Sequence, residues 1–153
     1  MIDPVIRDLL ADDLVQLAEL QDIARAGLAN QRGGVRWLDE HSDRQWERRG
    51  DDVQVLIGDL DGVVVGYLVL IVTSSSPVAV VDEVYVAEWA RELGYGDGLL
   101  AEAVERARAA GLQYLEATAL PGDRDTKNLY ERAGITARAI TVSTTLTPSD
   151  PAN

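Results

Sequence analysis

The chain changes its hydrophobic period between Asp82 and Leu100. Residues 78–86, Val-Ala-Val-Val-Asp-Glu-Val-Tyr-Val, are rich in β-branched side chains and read as a strand interrupted by paired acids. From Asp97 onward, Leu99, Leu100, Ala103, Val104, Ala107 and Ala110 recur at helical spacing, and Gly111 closes that helix as its C′ residue. The loop between them holds Arg91, Gly94 and Gly96. A strand that enters a glycine loop and leaves as a helix commits the chain to an α/β arrangement. It also makes an anion cradle, because glycine admits close backbone approach and the helix start supplies unpaired N–H groups and a positive dipole end. Such a nest suits a pyrophosphate. A dinucleotide fingerprint needs a third glycine where Leu99 stands, and a nucleotide P-loop needs Gly-Lys-Ser/Thr, which is missing.

The rest of the pattern supports a single domain over residues 1–147 with a frayed tail at 148–153. Residues 5–9 read as a short strand, and Asp12 or Asp13 as the N-cap of a helix whose stripe is Leu14, Leu17, Leu20, Gln21 and Ala24. The stretch 30–34 interrupts, a second short helix includes Trp37 and Leu38, and 44–48 is a polar helical or irregular segment. Val53, Val55 and Ile57, the tight turn Asp61-Gly62 and the apolar run 63–72 make a β hairpin, extended through the turn at 74–77 by the strand 78–86. Residues 112–119 form another strand, 123–133 a helix capped by Gly134, and 135–146 one or two final strands. The expected fold class is mixed α/β, with a mostly antiparallel central sheet and helices on both faces.

With 153 residues, 46% hydrophobic and 26% charged, the chain is large enough to bury a core. Cysteine is absent, which excludes disulfides, thiol nucleophiles and thiolate metal sites; with His41 as the single histidine, no metal site is expected. The net charge of −12 disfavours nucleic-acid binding and suits a cationic substrate. No apolar run approaches the roughly 18 residues of a membrane span, and Met-Ile-Asp-Pro is no secretion signal, so a cytoplasmic location is expected.

Three separated motifs together resemble one family. Val84-Tyr85-Val86 ends the meander, Arg91-x-x-Gly94-x-Gly96 follows, and Leu129-Tyr130-Glu131-Arg132-Ala133-Gly134 closes a later helix. With the Asp61-to-Tyr67 hairpin, this looks like the GNAT superfamily of acetyl-CoA-dependent N-acetyltransferases over roughly residues 53–140. The resemblance implies acetyl-CoA as co-substrate, held along Tyr85 and Val86 and by Arg91, Glu92, Leu93, Gly94, Tyr95, Gly96 and Asp97. Arg124 and Lys127 are placed to neutralise its outer phosphates, or else are solvated helix residues. It also implies that the Val86 backbone amide polarises the thioester carbonyl. Departures are Glu88, Glu92 and Asp97, where the family often has proline, glycine and a small or basic residue, with Arg91 the only nearby cation. Ile135 follows Gly134 where the family has Phe.

Acetyl transfer to an amine needs a base, since a free amine holds its proton up to a pKa of about 10. Asp82 and Glu83 lie where the family often places such a carboxylate. Neighbours on a regular strand face opposite ways, and Glu83, which shares a face with Tyr85, is the favoured base. Tyr130 matches the family position of the acid that protonates the leaving thiolate. With no thiol in the chain, direct attack in a ternary complex is expected. The acceptor is a small-molecule or peptide amine, with a homodimer possible through the last strands. Trp89 reads as a packing residue, Arg32 to Trp37 as an interhelical turn or an acceptor contact, and His41 has no identifiable partner. A second class stays open: a GNAT-like fold that has become a catalytically silent ligand-sensing or protein-interaction module, as the three acids would favour.

Overall fold

The computed structural model describes residues 3–42 and 50–147. Its elements run β1 (Val5–Asp8), a 3-10 turn (Ala11–Asp13), α1 (Leu14–Leu28), α2 (Gly34–Glu40), β2 (Val53–Leu60), β3 (Val63–Ile71) and β4 (Val78–Val86). A second 3-10 turn (Glu88–Ala90), α3 (Tyr95–Ala109), β5 (Tyr114–Ala117) and α4 (Arg124–Arg132) follow. The expected segment at 44–48 and the tail at 148–153 lie outside the described residues.

The five strands form one sheet in chain order, antiparallel except for the parallel pair β4–β5. The β2–β3 turn uses Asp61 at φ 50° and Gly62 at φ 88°, and two left-handed residues match the twist of the flanking strands. Strand alternation divides the apolar residues between two cores. Val55, Ile57, Val65, Tyr67 and Val69 pack beneath Leu17 and Leu20 of α1. Leu56, Leu68, Leu70, Ala79 and Val81 face Leu99, Leu100, Ala103 and Ala107 of α3, with Tyr130 of α4. Helices therefore cover both faces, and β3, covered on both, reads as a continuous apolar run.

Three local readings are corrected. Asp13 precedes α1, but with its backbone already helical it caps nothing there: its carboxylate accepts the Leu10 N–H at 2.8 Å and two hydrogen bonds from Arg7. The strand expected over 112–119 is limited to Tyr114–Ala117. Residues 135–146 form no strand, because no strand among the described residues pairs with them.

Two features of β4 shape the site. Its pairing with β5 runs from Val78↔Tyr114 to Val81↔Ala117, while β4 itself continues to Val86. The two strands therefore part after Val81. In the β3 register, Val69 opposes Glu83 but Leu70 opposes Val81, so Asp82 is the extra residue of a β-bulge.

Candidate active site

The parting of β4 from β5 opens a cleft whose floor is backbone. Ala87 donates to the Val65 carbonyl at 2.8 Å, which makes Ala87–Val65 a hydrogen-bonded pair. In an antiparallel ladder such pairs alternate, so Val84 and Val86 turn their N–H and C=O groups away from β3. On that side β5 has already ended. The Val86 carbonyl accepts from Arg91 Nε at 3.2 Å, and its N–H lies on the open edge.

One half of the cleft, about 510 Å³, lies between this edge, the loop after β4 and α4. Gly98 makes the first helical bond, to the Gly94 carbonyl at 2.9 Å, leaving the N–H groups of Tyr95, Gly96 and Asp97 at the start of α3 without helical partners. Gly94 has φ 91°, which favours glycine. Gly96 is needed for a different reason: a Cβ there would lie 3.0 Å from Leu129 Cδ1, so glycine lets α3 sit close against α4. Glu92 takes φ 69°, a left-handed conformation in which a side chain is strained.

The charges here differ from the expected crowding of acids. Arg132 of α4 donates to Asp97 at 3.2 Å, and Arg91 pairs with Asp125 at 3.1 Å while lying over the Tyr85 ring, 5.5 Å from its centroid. Arg91 is therefore not the sole cation beside the loop. Glu88 is exposed and lines neither half of the cleft. With free helix-start N–H groups, two arginines and an open backbone edge, the residues fit a pyrophosphate followed by an extended amide chain.

The other half, about 280 Å³, is continuous with the first through Val84, Tyr85, Arg91, Asp125 and Thr126. It reaches to Trp37 and α1. The bulge brings both Asp82 and Glu83 to this wall, against the expectation that only one could face it. Glu83 is heavily engaged, its side chain 9% exposed. Gln21 Nε2 donates to it at 2.7 Å, the Tyr67 hydroxyl donates at 3.4 Å, and Arg25 Nη1 lies 3.6 Å away. Burial raises its pKa, with Arg25 opposing. Burial also raises that of Asp82, whose carboxylate makes no hydrogen bond among the described residues. Tyr130 is 7% exposed and lines the same half; burial and then the nearby Asp123 and Asp82 charges raise its pKa.

Some expected contacts are not brought to the cleft. Lys127 donates to the Pro121 carbonyl at 2.9 Å and lines neither half, Leu93 points outward, half exposed, and Arg124 is exposed at the start of α4. Tyr95 borders the cleft, but its hydroxyl is tied to the Asp59 carbonyl at 3.1 Å. Trp89 is no packing residue, being 64% exposed. His41 has partners: its ring stacks on Trp37 at 4.1 Å and its carbonyl accepts from Arg25. Of the 32–37 stretch, Arg32 and Gly33 end a tight interhelical turn and the rest opens α2, where a Cβ on Gly34 would fall 1.7 Å from the Leu28 carbonyl. Sequence reasoning missed Arg132 and Arg25. For Arg25 a signal existed: Gln21, a polar residue inside an apolar stripe, marks a buried polar network one turn away.

The model of the acetyltransferase (GNAT) family matches residues 16–135, and the chain belongs to that family. Solved structures of the same fold include the aminoglycoside N-acetyltransferase AAC(6')-Iy in complex with CoA. It is 18% identical over 92% of this chain and 99% of its own, with a TM-score of 0.66. The tetramutant of the BH1408 protein from Bacillus halodurans is 19% identical over 93% and 99%, with a TM-score of 0.77. An aminoglycoside acetyltransferase from an uncultured soil metagenomic sample, in complex with sisomicin, is 19% identical over 94% and 95%, with a TM-score of 0.68. No curated protein matches the sequence significantly. Among the described residues, no helix is long and apolar enough to cross a membrane.

Proposed function

We propose that this protein transfers an acetyl group from acetyl-CoA to an amine acceptor, by direct attack in a ternary complex in the cytoplasm. The observation that carries the reading is the parting of β4 and β5. It joins an anion cradle, an open backbone edge, two carboxylates and a phenol in one continuous cleft. The N–H groups at the start of α3, with Arg91 and Arg132, hold the pyrophosphate. The Val86 N–H is the donor for the thioester carbonyl, whose oxygen gains charge as the amine attacks.

The two acids divide the work. Glu83, held by Gln21, Tyr67 and Arg25, fixes a negative wall for an incoming ammonium. Asp82, which the bulge turns to the cleft without a hydrogen bond, accepts the amine's proton directly or through water. The C–N bond forms, the C–S bond breaks, and the thiolate takes the Tyr130 proton. Burial raises the phenol's pKa, so Tyr130 holds its proton in the resting site and has it to hand when the thiolate forms, and the phenolate left behind regains a proton through water from Asp82, which took one from the amine. Neighbours of this fold are named for aminoglycoside acetylation and, in a Brucella melitensis protein 21% identical over 95% of this chain, for acetylation of a ribosomal-protein alanine. Both acceptors are amines, which supports the class while leaving its member to a screen.

Calorimetric titration with acetyl-CoA, and with CoA in parallel, comes before an amine-acceptor screen. Micromolar binding is expected. Tyr130→Phe and Asp82→Asn are expected to lower kcat at least tenfold while leaving coenzyme affinity within about twofold, and Glu83→Gln to act mainly on acceptor KM. Absence of binding at millimolar coenzyme refutes the enzyme and favours the binding module that Glu88, Glu92 and Asp97 motivated.

A further inference from the structure

The smaller half of the cleft has two walls, and they meet. One wall is α1 with the turn into α2, from which Leu28, Gln31 and Trp37 line the cavity. The other is the loop from β5 to α4, which contributes Ala119, Leu120 and Asp123. A Cβ on Gly122 would lie 2.8 Å from Gln31 Oε1, and one on Gly33 3.8 Å from Leu120 Cδ2. Each wall thus carries a glycine that receives a side chain of the other. Neither Gln31 nor Leu120 lines the larger half, so the walls meet apart from the junction between the two.

Both walls are pinned through their backbone. In the first, the Gln31 N–H donates to the Leu28 carbonyl at 2.9 Å, and the Gln31 carbonyl accepts from Gly34 at 2.9 Å. In the second, three successive carbonyls are taken. Asp123 donates to Leu120 at 3.0 Å, Lys127 Nζ to Pro121 at 2.9 Å and Arg124 to Gly122 at 3.0 Å. Lys127 is the single lysine of the chain, and its bond ties this loop to α4. Displacing either wall breaks such bonds, so the gap between them keeps its width.

We infer that Gln31 and Leu120 select the acceptor, passing a primary amine borne on an unbranched carbon chain and turning away one borne on a ring system. The inference rests on the proposed amine transfer and narrows its acceptor. At about 280 Å³ this half stands at the small end of small-molecule sites, which run from about 300 to 1,000 Å³. Asp82 and Glu83 supply carboxylates for the ammonium, and Leu28, Ala119 and Leu120 line the same cavity with apolar carbon. A methylene too many or too few in such a pocket changes kcat/KM by about 10- to 200-fold.

The test is acetylation of n-pentylamine, cyclohexylmethylamine and 1-adamantylmethylamine, read as thiol released from acetyl-CoA. All present the same CH2–NH3+ head and differ in width behind it. The parent is expected to use pentylamine with a kcat/KM about tenfold or more above that of cyclohexylmethylamine, and to leave the adamantyl amine unreacted. Gln31→Ala with Leu120→Ala trims both side chains and keeps every backbone bond. That pair is expected to raise kcat/KM for cyclohexylmethylamine about tenfold or more, with acetyl-CoA affinity within about twofold of the parent. Circular dichroism checks its fold, and the parent's own ranking tests the inference without any variant. Val15→Ala, at an exposed position of α1 outside the cleft, is the control and is expected to keep the parent's ranking. Equal use of the pentyl and cyclohexylmethyl amines by the parent, or an unchanged ranking in the double variant, overturns the inference. A parent that binds acetyl-CoA and acetylates none of these amines overturns it as well and leaves the coenzyme reading standing. Absence of acetyl-CoA binding overturns that reading and this inference together.

Discussion

Glu92 stands in a left-handed conformation directly before the glycines that open α3, which allows two effects to be separated by two substitutions. At φ 69° a residue with a Cβ carries a backbone cost of about 1–2 kcal/mol. Glycine removes that cost but frees the unfolded chain, giving back about 0.4–1 kcal/mol. Glu92→Gly is therefore expected to stabilise by about 0.5–1 kcal/mol, a rise in Tm of about 1–4 °C for a domain of this size. Glu92→Ala keeps the strained conformation and is expected to leave Tm within about 1 °C of the parent. Both substitutions remove a negative charge from the lining of the half of the cleft beside the start of α3, where the proposed function puts the coenzyme. One exposed like charge near a helix start is worth about 0.3–1 kcal/mol, so both are expected to tighten acetyl-CoA binding about two- to fivefold. Thermal denaturation and calorimetric titration on the three proteins read the two effects independently. Equal stability of the Gly and Ala variants would refute the strain argument, and unchanged affinity in both would refute the charge argument.

Gly34→Ala sets a Cβ 1.7 Å from the Leu28 carbonyl, a backbone atom that cannot swing aside, and is expected to cost at least about 3 kcal/mol in urea denaturation. Arg7 bonds Asp13 and Asp59 and holds both carboxyls below the usual range. The stability they supply is complete above about pH 4 and lost as pH falls through their lowered folded values. Urea midpoints measured down the acid range are expected to fall less steeply for Arg7→Ala than for the parent. Asp82 and Glu83 have the opposite sign: raised by burial, they favour the folded chain most at low pH, and that contribution is lost as pH rises through their raised values. In the proposed transfer Asp82 must be ionised while Glu83 acts on acceptor KM, so kcat at saturating acceptor is expected to fall on the acid side at a pH above the ordinary carboxylate range, and Asp82→Asn to abolish that limb.

Much of the architecture was legible because it rests on periods and turn chemistry. The alternation in Val53, Val55 and Ile57 of β2, the apolar run of β3, the Asp61-Gly62 turn, the α3 stripe and its closing Gly111 at φ 77° are local consequences of residue type. The Arg91-to-Gly96 loop and the Tyr130 helix could likewise be recognised, since each is a short motif that carries its own signature. Errors arose where the outcome depends on a distant partner. Residues 137–146 have a strand's composition, but a strand exists only when another edge accepts its hydrogen bonds.

Sequence alone therefore determined most of the helices and strands up to residue 132, the glycine-opened start of α3, and the family to which the chain belongs. Tertiary structure decided how the charges are spent and which side chains meet. A bulge at Asp82 changed the strand's parity, so two adjacent acids reached one wall. Arg132 met Asp97 across 35 residues, and Arg25 met Glu83 across 58, while Lys127 turned back to the Pro121 carbonyl in the loop before its own helix. The reason is physical. Propensity and pattern act over a few bonds, whereas the partner of a charge or of a strand edge is set by the packing of elements far apart in the chain, and a single inserted residue reverses every face beyond it.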